Sequence, residues 1–119
     1  MTEMKFYGYS GCNTCRRALR FLAARGIEPE VIAIREHPPT KLELERALAS
    51  AGGELKRLFN VSGGDYKTLN IKDKLTTFST EAALELLGKN GSLVKRPFVV
   101  RGKEAWVGYD EDVWKERFA

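Results

Sequence analysis

Cys12 and Cys15, in Cys12-Asn13-Thr14-Cys15, are the only two cysteines in a chain of 119 residues. They follow an alternating apolar segment (Met4 to Tyr9) and precede a stretch of helical periodicity, so the pair belongs at a strand-to-helix junction. A helix start can stabilise a thiolate while the second sulfur lies about one turn away, which is what thiol–disulfide chemistry requires. The attacking form is the thiolate, so a working site must lower a cysteine pKa from its free value of about 8.5. Cys12 is placed for this at or just before the first turn, where unpaired backbone amides of Thr14 and Cys15 face it. Arg16 and Arg17 add positive charge in the same turn. Cys12 is therefore read as the nucleophile and Cys15, on the core-facing stripe, as the resolving thiol that closes an internal disulfide. Two other readings compete. The cysteines could simply pack in a core, or hold zinc, although structural zinc wants four ligands and only the lone His37 is left to join them. Spacing and position favour the redox pair, and His37, beside two prolines in a polar turn, reads as a solvated surface residue.

The elements that must position these thiols follow from periodicity. Met4, Phe6 and Gly8 alternate with Lys5, Tyr7 and Tyr9 as in a short strand, and the chain turns at Ser10-Gly11. Cys15, Ala18, Leu19 and Leu22 form one apolar helical stripe, closed by Gly26 as a left-handed cap. Val31 to Ile34, a short β-branched run, reads as a buried strand, giving an opening strand-helix-strand unit with parallel, right-handed pairing. After Pro38-Pro39, Thr40 and Glu43 match a capping box for a helix whose stripe is Leu44, Ala47, Leu48 and Ala51. A short helical piece at Leu55 to Phe59 leads into Asn60 to Asp65, whose Gly63-Gly64 suggests a mobile loop, and Tyr66 to Lys74 reads as another short helix or irregular connection. Ser79 or Thr80 caps a helix carrying Ala83, Leu86 and Leu87 and stopped at Gly88. Phe98 to Val100 and Glu104 to Val107 pair through a Gly102 turn, and Asp110 caps a closing helix that buries Val113, Trp114 and Phe118.

The order strand-helix-strand, helices, strand-strand-helix predicts an α/β chain of thioredoxin-like fold. It is one domain over 1–119, with a four-stranded mixed sheet and a helical insertion at about 38–90. Thioredoxin-like sites set a proline ahead of the third strand, facing the redox pair, with a cis bond there; Pro97 fits by position. Arg96 would then lie close to Cys12, the alternative being a solvent-facing arginine at a strand start.

Bulk properties bound the function. A single domain of this length buries a core without staples, and 43% hydrophobic with 30% charged residues is ordinary for a soluble protein. No apolar run approaches the roughly 20 residues of a membrane span, and Met1 to Lys5 lacks the features of a signal peptide. A cytoplasmic monomer is expected, with no membrane partner and no bound metal or cofactor. The net charge of +4 comes from interspersed residues, suits anionic small molecules or an acidic partner, and does not argue for direct nucleic-acid binding.

Tyr9-Ser10-Gly11-Cys12, Pro38-Pro39-Thr40, Lys95 to Val100 and Val107 to Asp112 resemble, in order and spacing, the ArsC/Spx family over essentially the whole chain. That family holds glutaredoxin-coupled arsenate reductases, related glutathione-dependent thiol reductases and Spx-type regulators that bind RNA polymerase. The resemblance implies that the nucleophile falls on Cys12 and one of three oxyanion-binding arginines on Arg96. The second arginine falls on Asn60 and the third near Gly108, so two guanidinium positions are empty and efficient arsenate reduction is doubtful on this pattern. Lys67 and Arg57 are nearby cations that could compensate. Gly11, Asn13, Thr14, Arg16, Asn60 and Pro97 are the candidate substrate-binding residues beside the catalytic set Cys12, Cys15 and Arg96. The second thiol resembles the Spx branch, whereas the end at Ala119 lacks the longer charged tail of Spx-type proteins. Two readings follow. The first is an enzyme reducing a disulfide, a glutathione mixed disulfide or arsenate, with glutathione, glutaredoxin or thioredoxin as reductant. The second is a redox-sensing regulator binding the RNA polymerase α subunit. The enzyme is placed ahead.

Overall fold

The computed structural model describes residues 4–119; Met1, Thr2 and Glu3, the head of the segment read as lacking a signal peptide, lie outside it. Strand β1 (Met4–Gly8) pairs in parallel with β2 (Glu30–Ala33) and antiparallel with β3 (Phe98–Arg101), which pairs antiparallel with β4 (Glu104–Val107). The sheet order is β2-β1-β3-β4. Helix α1 (Asn13–Ala24) makes the crossover from β1 to β2, and α6 (Glu111–Arg117) closes the chain. Between β2 and β3 lie α2 (Lys41–Ser50), a 3-10 turn (Leu55–Leu58), the short helices α3 (Gly64–Thr68) and α4 (Ile71–Lys74), α5 (Thr80–Lys89) and a second 3-10 turn (Gly91–Leu93). Among the described residues no helix is long and apolar enough to cross a membrane.

Two apolar clusters lie against the sheet, one on each face, because alternate strand residues point to opposite sides. Met4, Phe6, Val99 and Trp106 pack with Cys15, Ala18, Phe21 and Leu22 of α1 and Trp114 of α6. Tyr7, Phe98, Val100 and Ala105 pack instead with the helices of the middle segment, through Leu44, Ala47, Ala83, Leu84 and Leu87. The register sets Phe6 opposite Val99, and Val99 opposite Trp106, so one continuous row of side chains receives α1 and α6. Each fully buried large side chain in that row contributes about 1.5–3 kcal/mol.

The capping signals act as read. Thr40 and Glu43 form the reciprocal capping box of α2, Ser79 rather than Thr80 caps α5, and Asp110 accepts from the amides of Asp112 and Val113. Gly26 follows α1 at φ +70, the left-handed region expected of it.

Four expectations need correction. The run Val31 to Ile34 is not a buried strand: β2 is the sheet edge, Val31 is 58% exposed and only Ile34, just past the strand, is fully buried. Gly88 does not stop α5, which runs on to Lys89 and ends at Asn90; a glycine inside a helix costs only about 1 kcal/mol, and flanking burial outweighs it. Tyr66 to Lys74 is two helices rather than one, broken at Asn70 with φ +55. Val113 faces solvent at 48% exposure, because Trp114 takes the core position of α6.

Candidate active site

Cys12 is the N-cap of α1 with extended backbone (φ −95, ψ 113), and its sulfur accepts a hydrogen bond from the Cys15 amide at 3.2 Å. The turn before it is closed by the Cys12 amide donating to the Tyr9 carbonyl at 3.0 Å. Negative charge on Cys12 Sγ therefore meets both a backbone donor and the positive end of a twelve-residue helix. Cys12 is half-buried, and Cys15 is buried against β1. A Cβ at Gly8 would come within 3.4 Å of Cys15 Sγ, so a residue without a side chain lets α1 close down on the strand. Burial pushes the Cys15 thiol up to about 12, reinforced by its hydrogen bond with Cys12 and, less, by the Cys12 charge, and opposed by the Tyr9 backbone and Arg96. The assignment of an accessible sulfur and a protonated inner one is thus built into the local geometry.

The Arg96-Pro97 peptide bond is cis, and Pro97 is buried ahead of β3. Arg96 is half-buried rather than solvent-facing, with its guanidinium 5.3 Å from the Tyr9 ring centroid and near enough to the thiols to bias Cys15. Its Nη1 is buried with no acceptor among the described residues. Tyr9, which the residue pattern alone did not single out, is stacked on its other contact by Arg35 at 3.9 Å and lies over Gly11, where a Cβ would meet the ring at 2.6 Å. It holds the rim of the thiol loop between two guanidinium groups.

The remaining candidates separate. Arg16 donates to the Ser10 carbonyl at 3.0 Å and to the Asn13 side chain, so this exposed pair braces the loop carrying Cys12. Asn60 is tied into a short bridge: its amide donates to Leu93 at 2.7 Å, and the Lys95 amide donates to Leu58 at 2.8 Å. This bridge, Phe59 against Val94, joins the end of the 3-10 turn that carries Arg57 to the segment that carries Arg96. A cavity of about 390 Å3 is lined by Thr14, Arg57, Lys95, Arg96, Gly108 and Tyr109 among others, whereas Asn60, Asn13, Arg16 and Lys67 do not border it. Gly108 has φ +81, a conformation that disfavours the side chain an arginine would need there. Of the two cations that could compensate for the empty arginine positions, Arg57 borders the cavity with Lys95 and Arg96 and Lys67 does not; Lys95 was not singled out from the sequence. His37 is exposed in the turn after β2, and among the described residues no three of His, Cys, Asp and Glu gather as a metal site.

Comparison with known proteins places the chain in a family. The ArsC family model matches residues 7–117. The chain is 42% identical to YusI of Bacillus subtilis (98% of this chain, 99% of YusI) and 32% identical to an arsenate reductase of Rhizobium meliloti (79% of this chain, 66% of the reductase). It is 27% identical to the regulatory protein MgsR of Bacillus subtilis, over 91% of this chain and 84% of MgsR. An ArsC family related protein from Bacteroides fragilis superposes with a TM-score of 0.85 at 36% identity, covering 96% of this chain and 97% of that one, so the four-stranded sheet with its helices is the thioredoxin-like α/β fold. The chain belongs to the ArsC family.

Proposed function

We propose that the protein is a thiol–disulfide oxidoreductase of the ArsC family acting on disulfides, with glutathione mixed disulfides as the best-supported substrate. The observation that carries this reading is the sulfur-capped helix: Cys12 at the N-terminus of α1, accepting from the Cys15 amide, with the protonated Cys15 behind it. Cys12 thiolate attacks one sulfur of the substrate disulfide, forming a new S–S bond and releasing the other sulfur as a thiolate. Cys15 then attacks Cys12 Sγ, its proton passing to the departing thiolate, and the Cys12–Cys15 disulfide forms. An external dithiol or two glutathione molecules return two electrons and two protons to restore the dithiol. Capping Cys12 in the mixed disulfide removes its charge and its hydrogen bond as causes that raise Cys15, leaving burial, so the resolving thiol becomes more acidic at the step that uses it. Arg96, the one family arginine position filled, provides the cation beside the reacting sulfurs; Asn60 and Gly108 at the other two weigh against an arsenate oxyanion.

The test is turnover of a glutathionylated peptide with glutathione and glutaredoxin, or thioredoxin, as reductant. Cys12→Ser is expected to abolish it and Cys15→Ser to leave a persistent Cys12 adduct seen by mass spectrometry; undiminished activity of Cys12→Ser refutes the reading.

A second reading rests on the similarity to the regulatory protein MgsR together with the two-thiol site. There the pair works as an oxidation switch on a surface that binds the RNA polymerase α subunit. Pull-down of that subunit by the reduced or the oxidised form supports it, and failure of both forms removes it.

A further inference from the structure

Helix α1 differs from the other long helices in how its charges are answered. In α2, α5 and α6 a lysine meets a glutamate, through Lys41–Glu81 at 2.8 Å, Lys89–Glu85 at 2.8 Å and Lys115–Glu111 at 3.5 Å. Helix α1 contains no acidic residue, and Arg17, Arg20 and Arg25, the last at its C-cap, enter no ion pair among the described residues. Arg17 and Arg20 stand three apart, where like charges weaken a helix, so the fold gains nothing by grouping them. Arg25 lies over the Phe21 ring at 3.7 Å and Arg17 over the Tyr109 ring at 5.5 Å. Stacking uses the flat face of a guanidinium and leaves its N–H edge free to donate. Arg17, Arg20, Phe21, Arg25 and Tyr109 line a groove of about 350 Å3 between α1 and the start of α6. Glu111 is the one carboxylate among its described lining residues, and it already faces Lys115. Residues 17, 20, 21 and 24 recur at the spacing of one helical face, so the groove follows α1 away from the thiol loop.

We propose that this groove docks an acidic segment of a protein substrate, the stretch of chain flanking the cysteine that reacts with Cys12, and that Arg20 and Arg25 bind its carboxylates. The proposal rests on the disulfide-exchange reading of Cys12. At 1.5 Å per residue along the helix axis, Arg17, Arg20 and Arg25 lie about 8, 12 and 20 Å beyond Cys12. An extended chain advances about 3.3 Å per residue, so carboxylates roughly two, four and six residues from the reacting cysteine meet the three guanidinium groups in turn. A polypeptide fits better than other polyanions. Phe21 is buried and Tyr109 half-buried beneath the arginines, so the groove offers a bilayer no apolar wedge. Three guanidinium groups on a chain of net charge +4 fall short of the run of phosphate contacts that holds nucleic acid. Arg17, Arg20 and Arg25 are exposed, so their substitution spares the core.

The experiment compares glutathionylated peptides of one sequence that carry, at alternate positions on both sides of the modified cysteine, either glutamate or glutamine. Wild-type protein is expected to prefer the glutamate peptide by about 5-fold or more in kcat/KM at low salt, the difference lying in KM, and about 0.5 M salt should remove most of it. Arg20→Ala and Arg25→Ala should each cut that preference about 2- to 5-fold, the reach of an exposed charge pair, and Arg20→Lys should keep it. Arg20→Glu should turn the preference toward a peptide with lysine at the same positions, with no fall in Tm, because it relieves like-charge repulsion within α1. In parallel, a labelled glutamate peptide with serine in place of cysteine, which binds without reacting, measures docking alone by fluorescence anisotropy. It should bind wild-type protein and Cys12→Ser alike and lose binding to Arg20→Glu. Equal turnover of the glutamate and glutamine peptides, unmoved by any arginine substitution, overturns the docking surface while leaving disulfide exchange intact. Absence of turnover, with peptide binding that Arg20→Glu removes, overturns the exchange reading and keeps the surface; absence of binding overturns the surface. Displacement of the bound peptide by phosphatidylserine vesicles or a single-stranded oligonucleotide, at charge concentrations well below that of the peptide, assigns the groove to another occupant and overturns the proposal.

Discussion

Selective alkylation of the two thiols tests the division of labour between them most directly. The Cys15 thiol stands at about 12 and is 2% exposed. Against an ordinary cysteine near 8.5, that position cuts its thiolate fraction at pH 7 by about 3,000-fold. A more basic thiolate is also a better nucleophile, with a Brønsted slope of about 0.4–0.5, which returns roughly 40-fold of that loss. The net handicap is about 80-fold from ionisation alone, and burial adds steric exclusion. Native reduced protein treated with iodoacetamide at pH 7, quenched over time and mapped by peptide mass spectrometry, is therefore expected to take one equivalent on Cys12 while Cys15 lags by about 100-fold or more. Cys12→Ser removes a charge and a hydrogen bond that raise Cys15 but leaves burial, the largest cause, so Cys15 stays slow in that variant. Cys15→Ser should leave the Cys12 rate within about threefold, since the capping donor is a backbone amide that serine retains. Labelling of Cys15 at a rate within tenfold of Cys12 in the folded wild type would refute the geometry on which the proposed cycle depends.

Other outcomes follow from the same coordinates. Arg96→Ala removes a cation that pulls the Cys15 thiol down, so the Cys12 mixed disulfide should live longer in stopped-flow or quench experiments, and Arg96→Lys should restore part of the loss. Gly91→Ala would set a Cβ 1.8 Å from the Ile34 carbonyl oxygen and 3.1 Å from Arg35 Cα, both backbone atoms; a cost of about 3 kcal/mol and a fall in Tm of at least about 10 °C are expected by thermal denaturation. Burial opposes the charge on Glu43, but the Thr40 amide, the Tyr7 hydroxyl at 2.7 Å and Lys5 outweigh it and hold the carboxyl below its usual range. A carboxyl lowered on folding stabilises above its unfolded value of about 4.3 and loses that contribution as pH falls through the folded one. Glu43→Gln should accordingly flatten the acid limb of the Tm-versus-pH curve below about pH 4.3, and an unchanged limb would contradict this.

Much of the frame was legible because it depends on neighbours in the chain. The Cys-x-x-Cys junction, the Thr40-Glu43 box, the Asp110 cap and the Gly26 stop each act within a single helix turn, where spacing alone dictates who meets whom. The buried reading of Val31 to Ile34 failed because a β-branched run has the same composition at a sheet edge as at its centre, and only strand order decides which it is. Val113 failed similarly: with Trp114 next to it, the helix phase against the sheet selects one of the two for the core.

Local chemistry therefore belongs to the sequence by itself: two thiols one helical turn apart, an arginine before a proline, and the alternating and helical stripes that make an α/β domain around them. Tertiary structure decided what surrounds that chemistry. It brought Arg57 from the middle segment to Lys95 and Arg96 before β3, laid Lys95 over Gly108, turned Arg16 and Asn13 into a brace, and buried Cys15 deeply enough to keep its proton. The reason is physical: short-range rules act through bonds and turns, whereas burial and charge clustering depend on which distant segments the packed core holds together.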